Sequence, residues 1–245
     1  MIAAITAGGR ADDPFARELG VSTKALASVS DITMLDRAID AARATGARRI
    51  VIIGGAAVHA HCGSRVDDVI DESADGRENI RRAMAYGTNE PLLLSSSDMP
   101  FVTPCAMAEF VERARDCDLA LPLAEADAYE STYPGAPPHV TRLGRDRIAN
   151  GNVVYFGAGV APRALDASQQ FFDARKSLVR MAVLLGPALL LRFATRRLRV
   201  AHVEARGSEL LDCTVRAIRG ASPTLCFDVD SIADYRYAVD YAARS

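Results

Sequence analysis

The chain has 245 residues, enough for one large α/β domain or two small ones with a sizeable core. Its 29 Lys and Arg nearly balance 31 Asp and Glu, so bulk charge favours neither nucleic acid nor an anionic membrane as a partner. Five cysteines, an odd number without a CxxC pair, are typical of reduced thiols in a cytoplasmic protein rather than of a disulfide framework.

Short apolar segments alternate with helical patterns through the first half of the chain. Ile2–Thr6 is a predicted buried strand, and the predicted helix at 34–47 ends near Gly46. The next predicted elements are, in chain order, strands in RRIVIIGG and DDVIDE, a helix in RENIRRAMAYG, a strand in PLLLSSSDMP, a helix at about 104–115 and a strand in DLALPL. This alternation predicts an α/β fold with a mainly parallel, mixed sheet, in which ligands bind beyond the carboxyl ends of the strands.

The second half is less regular. Its predicted elements are a Pro-rich loop entering a strand in YESTYPGAPPHVTRL, a strand in GNVVYFG, helical segments at roughly 161–195 and a strand in LRVAHVEA. The last segment, LCFDVDSIADYRYAVDYAAR, is a predicted strand followed by a helix that Ser231 caps, with Asp234 in the capping-box position. No repeat or linker interrupts the chain, which predicts a single domain over 1–245 with a helical insertion in its C-terminal half.

One stretch, Met181–Ala194, is strongly apolar but contains Gly186 and Pro187 and is followed by Arg196 and Arg197. It is too short to cross a bilayer, because a spanning helix needs about 20 apolar residues. A buried pair of helices is one interpretation of it. A surface that meets a lipid-linked or otherwise apolar substrate is the other. The beginning of the chain has no basic leader, so we expect a cytoplasmic protein without stable membrane insertion.

A glycine-bearing loop follows the first strand. Gly8 and Gly9 let backbone N–H groups approach an anion closely, and Arg10 and Lys24 supply positive charge for phosphates. The sequence matches neither a Walker A loop nor the GxGxxG turn. The alternative is an ordinary glycine turn with exposed basic residues.

Acidic residues follow later apolar segments. Asp98 comes directly after a predicted strand and before Met99 and Pro100, and Asp228 and Asp230 are predicted at the end of a late strand. Carboxylates from two strand ends suit Mg²⁺, which prefers oxygen ligands and neutralises charge on a phosphoryl group during transfer. Taken alone, each residue also fits a simple turn or a lead into a helix.

The motifs AGGR…K, SSSDMPF, GNV and DVDSIADY, in this order, resemble the molybdenum cofactor guanylyltransferase-like (MobA-like) nucleotidyltransferases. The resemblance covers most of the chain and is weakest between about 161 and 222. It implies a Rossmann-like fold of the GT-A nucleotidyltransferase type. It also implies a reaction in which a nucleoside triphosphate (NTP) and a phosphorylated small molecule give a nucleotide-linked product and pyrophosphate, with Mg²⁺ as cofactor.

On the nucleotide side, the resemblance implies that Lys24 is the catalytic lysine. For the arginine of the family's loop, Arg10 and Arg17 are both candidates, and Arg10 is assigned a catalytic role. The residues that the resemblance implies for base and phosphate contacts are Ala7, Gly8, Gly9 and, within Asp75-Gly76-Arg77-Glu78-Asn79, Gly76 and Asn79.

On the metal and acceptor side, the resemblance implies that Asp98 is a metal ligand and that Asp228 or Asp230 is a second one. Gly151 and Asn152 match the element that lines the acceptor site. The apolar helical region at 161–195 is unlike the short members of the family, so the resemblance does not identify the acceptor.

The implied mechanism is in-line attack of an acceptor phosphate on the α-phosphorus, helped by positioning and charge neutralisation. One rival is a glycosyltransferase of the same fold that uses FDVD with a sugar nucleotide, although such a motif is expected in mid-chain. Another is a nucleotide-binding sensor without turnover. A zinc site at His59, His61 and Cys62 lacks further ligands in the sequence.

Overall fold

The computed structural model describes residues 1–8, 19–21, 23–174, 184 and 186–244. The strands are β1 Ile2–Thr6, β2 Ser28–Val29, β3 Ile32–Thr33, β4 Arg49–Gly54, β5 Asp68–Asp71, β6 Leu92–Ser96, β7 Leu119–Glu125, β8 Val140–Leu143, β9 Asp146–Asn150, β10 Val153–Phe156 and β11 Val215–Arg219. The helices are α1 Met34–Ala44, α2 Ala56–Cys62, α3 Gly76–Met84, α4 Pro104–Ala114, α5 Ala126–Thr132, α6 Val160–Ala174, α7 Pro187–Ala194, α8 Val200–Leu211 and α9 Ile232–Ala242.

Nine strands form one mixed sheet, with the order β5-β4-β1-β6-β10-β7-β9-β8 and with β11 paired to β7. The pairings make β9 and β10 run against the other seven strands. The predicted mainly parallel, mixed α/β fold is therefore confirmed.

The register of the parallel strands places three loops at one edge of the sheet. Thr6, at the end of β1, pairs with Ile53 of β4 on one side and with Ser96 of β6 on the other. The backbone continues this alignment past β6, where Ser97 N donates to Thr6 O at 3.2 Å. The segments that follow β1, β4 and β6 are thus neighbours at this edge, because the three strands are parallel.

Alternation along β1 explains the two cores. Ala3 and Ile5 face a large apolar cluster with α1 and α4, whereas Ile2 and Ala4 face a second cluster that includes residues of α3 and α6. Successive side chains of a strand point to opposite faces, so a run that is apolar at every position predicts burial on both sides. The sheet is covered in this way along β1.

In the C-terminal region, one predicted strand is a helix and one strand was not predicted. The segment LRVAHVEA is not a strand, because it lies largely in α8. In this helix Val200 is buried, and Gly207 packs against Val215 of β11. Val200 and Gly207 are seven residues apart, which is a helical spacing. The alternating apolar residues at the start of the segment hide this helical pattern. The strand that was missed is β11, a short edge strand parallel to β7 in which Arg216 and Arg219 interrupt the apolar residues.

The apolar region contains two helices in its described part, α6 and α7, as predicted. However, α7 is not buried: Leu191 and Phe193 are each 65% exposed. The interpretation of Met181–Ala194 as a buried pair of helices is therefore wrong for α7. None of the helices in the described ranges combines the length and the apolar character needed to cross a membrane.

The cysteines differ strongly in burial, and we expect their reactivity to differ accordingly. Burial raises the pKa of the Cys62 thiol and raises that of Cys226 to about 12, whereas Cys105 is exposed. Since the thiolate is the nucleophile, a pKa of about 12 leaves only about one Cys226 in 10⁴ ionised at pH 8. Iodoacetamide should label Cys105 at least about tenfold faster than the other two, as read by peptide mass spectrometry. Equal labelling of all three in the folded protein would contradict this, and unfolding in urea should equalise them.

Candidate active site

Lys24 joins three separate parts of the chain. It begins a short 3₁₀ turn, and its Nζ donates to Asp98 Oδ2 at 2.7 Å and to Val229 O at 2.8 Å. A further carboxylate oxygen, Asp230 Oδ1, lies 3.9 Å away. The side chains of Lys24 and Asp98 are only 19% and 16% exposed. The ammonium group therefore lies where the segments after β1, after β6 and before α9 meet.

Lysine is rare in this chain, which makes Lys24 unusual. The chain has 27 arginines and two lysines, Lys24 and Lys176. An ammonium is a compact charge that fits among several carboxylates, whereas a guanidinium is a larger planar fork. A lysine at position 24 of an arginine-rich chain therefore indicates that this position requires a compact positive charge.

Three carboxylates surround this point. Asp98, Asp228 and Asp230 each place one oxygen so that the three atoms lie within 4.8 Å of one another. Asp98 follows β6 as predicted, but Asp228 and Asp230 lie in a loop rather than at the end of a strand. The loop makes single hydrogen bonds instead of a ladder, with Val229 N donating to Asp98 O at 3.0 Å. This contact, together with the hydrogen bond from Lys24 to Val229 O, holds Asp228 and Asp230 beside Asp98.

The N-terminus of α9 holds the acidic loop in place. Asp234 Oδ2 accepts hydrogen bonds from the backbone N–H groups of Asp230 and Ser231, at 3.2 and 2.7 Å, and from Ser231 Oγ at 2.7 Å. Ser231 Oγ in turn accepts from Asp234 N, which completes the predicted capping box. The cap that starts the helix thus also shapes the loop that carries Asp228.

His139 is a site residue that the sequence analysis missed. Its Nδ1 lies 3.2 Å from Asp228 Oδ1, and its Nε2 lies 3.4 Å from Asp234 Oδ1. The imidazole thus lies between the two acids. It follows Pro137 and Pro138 in the Pro-rich loop, a context that gives no sequence signal for it.

The electrostatics of this cluster leave negative charge in excess. Burial alone would lower the pKa of Lys24, but the nearby carboxylates, Asp98 above all, raise it above its ordinary value. Burial raises the pKa of Asp230, and the negative charge of Asp228 raises it further, while Lys24 acts in the opposite direction. One ammonium among three carboxylates leaves a surplus of two negative charges.

The donor set fits a divalent cation. Asp98 Oδ1 is buried and has no hydrogen-bond partner among the described residues, although buried carboxylate oxygens are normally paired. A metal–oxygen distance of about 2.1 Å allows two ligand oxygens to be at most about 4.2 Å apart, so a bound ion would draw the three carboxylates closer together. Asp98, Asp228 and Asp230 therefore offer the oxygens and the charge that Mg²⁺ or Mn²⁺ requires.

The predicted nucleotide loop packs closely against a second loop. A Cβ at Gly8 would collide with the Glu72 carboxylate, and one at Gly55 would meet the same group. Glu72 directly follows β5, so the rule that ligands bind at carboxyl ends of strands would have identified it. Ala7 is fully buried, and its N–H donates to Ile53 O at 2.8 Å. Gly8 thus lies directly beside the Glu72 carboxylate, which would have to move if position 8 carried a side chain.

The residues at the start of α3 shape that second loop. Asn79 accepts from Ser73 N at 2.6 Å and donates to Ser73 O at 3.0 Å, so its amide holds the turn before the helix. Asp75 caps α3 by accepting from Arg77 N at 2.9 Å, and an added Cβ at Gly76 would meet open space. The base contacts assigned to Gly76 and Asn79 remain predictions.

Gly151 and Asn152 lie between β9 and β10, beside the end of β6. A Cβ at Gly151 would collide with Pro122, which gives this glycine a packing reason. Asn152 O accepts from Ser96 N at 3.1 Å, and Asn152 Nδ2 is buried without a partner among the described residues. An unsatisfied amide donor here is consistent with the predicted acceptor contact.

Three predicted or candidate residues, Gly9, Arg10 and Arg17, lie outside the described residues. In the described part of the chain, the histidines of the zinc hypothesis contact two different carboxylates. His59 Nε2 lies 3.1 Å from Asp71 Oδ1, and His61 Nε2 lies 3.0 Å from Asp36 Oδ1. This arrangement does not favour a shared metal at this position.

A cavity of about 990 Å³ opens on the α3 face of the sheet. Asp75 and Arg77 line it, so it adjoins the predicted base loop, whereas the three carboxylates do not line it. Its walls are mainly apolar: Leu94 and Phe156 of the sheet lie between α3 and α8, and Ile80 of α3 is 40% exposed. The molecule thus has room for an apolar group near the predicted base loop.

The capping box supports a stability prediction. We expect Ser231→Ala to lower the free energy of unfolding by about 1 kcal/mol, because the Asp234 N–H loses its acceptor. Urea unfolding measures this change. Ser64→Ala, at an exposed position, is the matched control and should change stability by less than about 0.5 kcal/mol. Equal effects of the two variants would contradict the capping role.

The order of the sheet and the site at its carboxyl edge define a nucleotidyltransferase fold. The chain belongs to the MobA-like NTP transferase family, since the model of the MobA-like NTP transferase domain matches residues 3–183. A search of curated protein sequences gives no significant match.

Solved structures agree with this assignment. A hypothetical transferase from Thermus thermophilus is 25% identical, with a TM-score of 0.81 over 95% of this chain and 98% of that one. A protein described as a glucose-1-phosphate thymidylyltransferase from Bacillus anthracis is 13% identical, with a TM-score of 0.62 over 99% and 95%. Rv0371c of Mycobacterium tuberculosis H37Rv, solved with manganese, is 18% identical, with a TM-score of 0.52 over 98% and 97%. The last two likenesses show the fold alone.

Proposed function

We propose that this protein transfers a nucleoside monophosphate from an NTP to a phosphorylated small molecule and releases pyrophosphate. The observation that carries the proposal is the position of Lys24 Nζ, 2.7 Å from Asp98 in a group of three carboxylates at the carboxyl edge of the sheet. The thymidylyltransferase likeness supports the same chemistry, in which a nucleotide is joined to a sugar phosphate.

Each group of the site has a task in this reaction. Asp98, with Asp228 and Asp230, would hold Mg²⁺ or Mn²⁺, and the manganese complex of Rv0371c supports this assignment. The metal, when bound, supplies charge neutralisation on the phosphates. Lys24 is positioned to balance negative charge that develops on the oxygens of the α-phosphate and pyrophosphate. The loop at Gly8 places its backbone close to the nucleotide.

The acceptor needs no general base, because its phosphate is already ionised at neutral pH. The chain therefore has to align the two phosphates for in-line displacement, which is a task of positioning. The Asn152 amide, which is buried beside β6 and has no partner in the part of the chain that the structure describes, supports a contact in which it donates to the acceptor. The apolar cavity beside α3 supports an acceptor or base with a large apolar surface.

Thermal unfolding with ATP, CTP, GTP and UTP, each with and without Mg²⁺ or Mn²⁺, tests the proposal. An NTP at 100 times its Kd adds about 2.7 kcal/mol of stability. We expect a metal-dependent shift with one nucleotide, followed by pyrophosphate release when a phosphorylated acceptor is added. A shift with sugar nucleotides alone would favour the glycosyltransferase, and nucleotide binding without pyrophosphate release for any acceptor would favour the sensor.

A further inference from the structure

Helix α7 presents apolar side chains to solvent. Leu191 and Phe193, each 65% exposed, are the most exposed large apolar side chains among the described residues. Helix α7 has eight residues and starts at Pro187. Leu191 and Phe193 lie two residues apart in this helix, so their side chains leave it in different directions. Exposing two large apolar groups on one short helix is unfavourable for an isolated molecule, so such groups are typical of an interaction surface.

Unpaired positive charge surrounds these two side chains. Arg192, Arg196 and Arg197 are exposed, and none of them forms an ion pair within the described part of the chain. The turn between β8 and β9 adds another arginine, because Gly144 lies against the backbone carbonyls of Arg196 and Leu198, and Arg145 follows it. The α7 patch is the set Arg145, Leu191, Arg192, Phe193, Arg196 and Arg197.

The sequence on either side of α7 contains no acidic residue, and the acid that follows Arg145, Asp146, pairs with Arg219. Between Asp173 and Glu204 there are seven Lys and Arg and no Asp or Glu. The charge balance of the whole chain, which disfavours an anionic membrane as a partner, therefore hides a strongly basic segment. Apolar groups surrounded by arginines match a surface that offers acyl chains beneath anionic head groups.

We propose that the α7 patch binds the surface of an anionic lipid bilayer, with the last turn of α7, which carries Leu191 and Phe193, inserted at the boundary between head groups and acyl chains. Nucleic acid would pair with the arginines but leave both apolar side chains in water. A second copy of the chain in a two-fold contact would place the same arginines against each other. A bilayer satisfies both properties of the patch, and a helix of eight residues is too short to cross it.

Vesicle flotation tests the proposal without reference to any enzymatic activity. The full-length protein should float with vesicles in which a third of the phosphatidylcholine is replaced by phosphatidylglycerol. It should not float with pure phosphatidylcholine, and added salt should weaken the binding. Flotation with neither vesicle, or equally with both, would overturn the proposal.

Paired variants separate the apolar from the electrostatic contribution. Leu191→Asp/Phe193→Asp should abolish flotation, and Arg192→Glu/Arg197→Glu should reduce binding to phosphatidylglycerol vesicles at least about tenfold. All four side chains are exposed, so the variants should unfold at the wild-type temperature. Val239→Asp, at another exposed apolar residue, is the control for the apolar variant. Arg43→Glu/Arg115→Glu changes the charge by the same amount elsewhere on the surface and is the control for the arginine variant.

Other outcomes identify a different partner. If the control variants lose as much binding as the patch variants, the patch is not the membrane contact. If Leu191→Asp/Phe193→Asp halves the mass in solution by light scattering, the patch joins two copies instead. If the arginine variant loses binding to duplex DNA but still binds vesicles, the patch is a nucleic-acid surface. Each of these results would overturn the proposal.

Discussion

Asp98→Asn is expected to abolish the metal-dependent stabilisation by the NTP and to slow pyrophosphate release at least about 10³-fold. Asp98 pairs with Lys24 at 2.7 Å, and its second oxygen is buried with no hydrogen-bond partner among the described residues. Asparagine keeps the shape and one acceptor for Lys24 but loses the charge. The measurement is the thermal shift with each NTP and Mn²⁺, followed by pyrophosphate release.

Asp127→Asn is the matched control for this prediction. Asp127 is 93% exposed and pairs with Arg147 at the surface, so its variant should keep the full metal-dependent shift. The fold of Asp98→Asn is checked by its unfolding in the absence of nucleotide. A wild-type response of Asp98→Asn to NTP and Mn²⁺ would rule out Asp98 as a metal ligand.

The second large effect is expected at Lys24. Lys24→Met leaves Asp98 without its cation in a pocket where the two side chains are less than one fifth exposed. We expect the free energy of unfolding to fall by about 1–3 kcal/mol, because the remaining carboxylates lose their counter-charge. Turnover should fall at least about 10²-fold, because the charge on the phosphates loses a partner.

Mn²⁺ distinguishes this electrostatic effect from a packing defect. Added Mn²⁺ should recover more stability in Lys24→Met than in the wild type, since a divalent cation replaces the missing positive charge. Lys24→Arg keeps the charge but needs space for a planar guanidinium, so its turnover should be close to that of Lys24→Met. If Mn²⁺ stabilises the wild type and Lys24→Met equally, charge compensation is not the role of Lys24.

The sequence predicts the parallel half of the fold well because the signals there are local. Ile2–Thr6 and the strand before Asp98 are continuous apolar runs, and Gly46, with a φ of 73°, ends α1 as a C-terminal glycine does. The C-terminal half was harder, because α8 starts with an alternating pattern and β11 is stabilised by its neighbour β7 rather than by its own residues.

The candidate site was only partly predictable. Lys24, Asp98 and the late acids were found because they belong to motifs near predicted strand ends, and the structure places them together. His139 depends on a tertiary contact with Asp228 for which its neighbours in sequence give no sign. The exposure of α7 was equally hard to predict from the sequence. A mainly apolar segment of eight residues has the same composition whether it lies at a surface or in a core.

The hydrogen bond from Lys24 to Val229 joins positions 205 residues apart. Closing so long a loop costs conformational entropy before any contact compensates for it, so such pairs form after local helices and hairpins during folding. The acidic loop should therefore be among the last parts of the molecule to become native. In a refolding experiment, Mn²⁺ binding should recover more slowly than helical circular dichroism, and the metal site would serve as a reporter for completion of the fold.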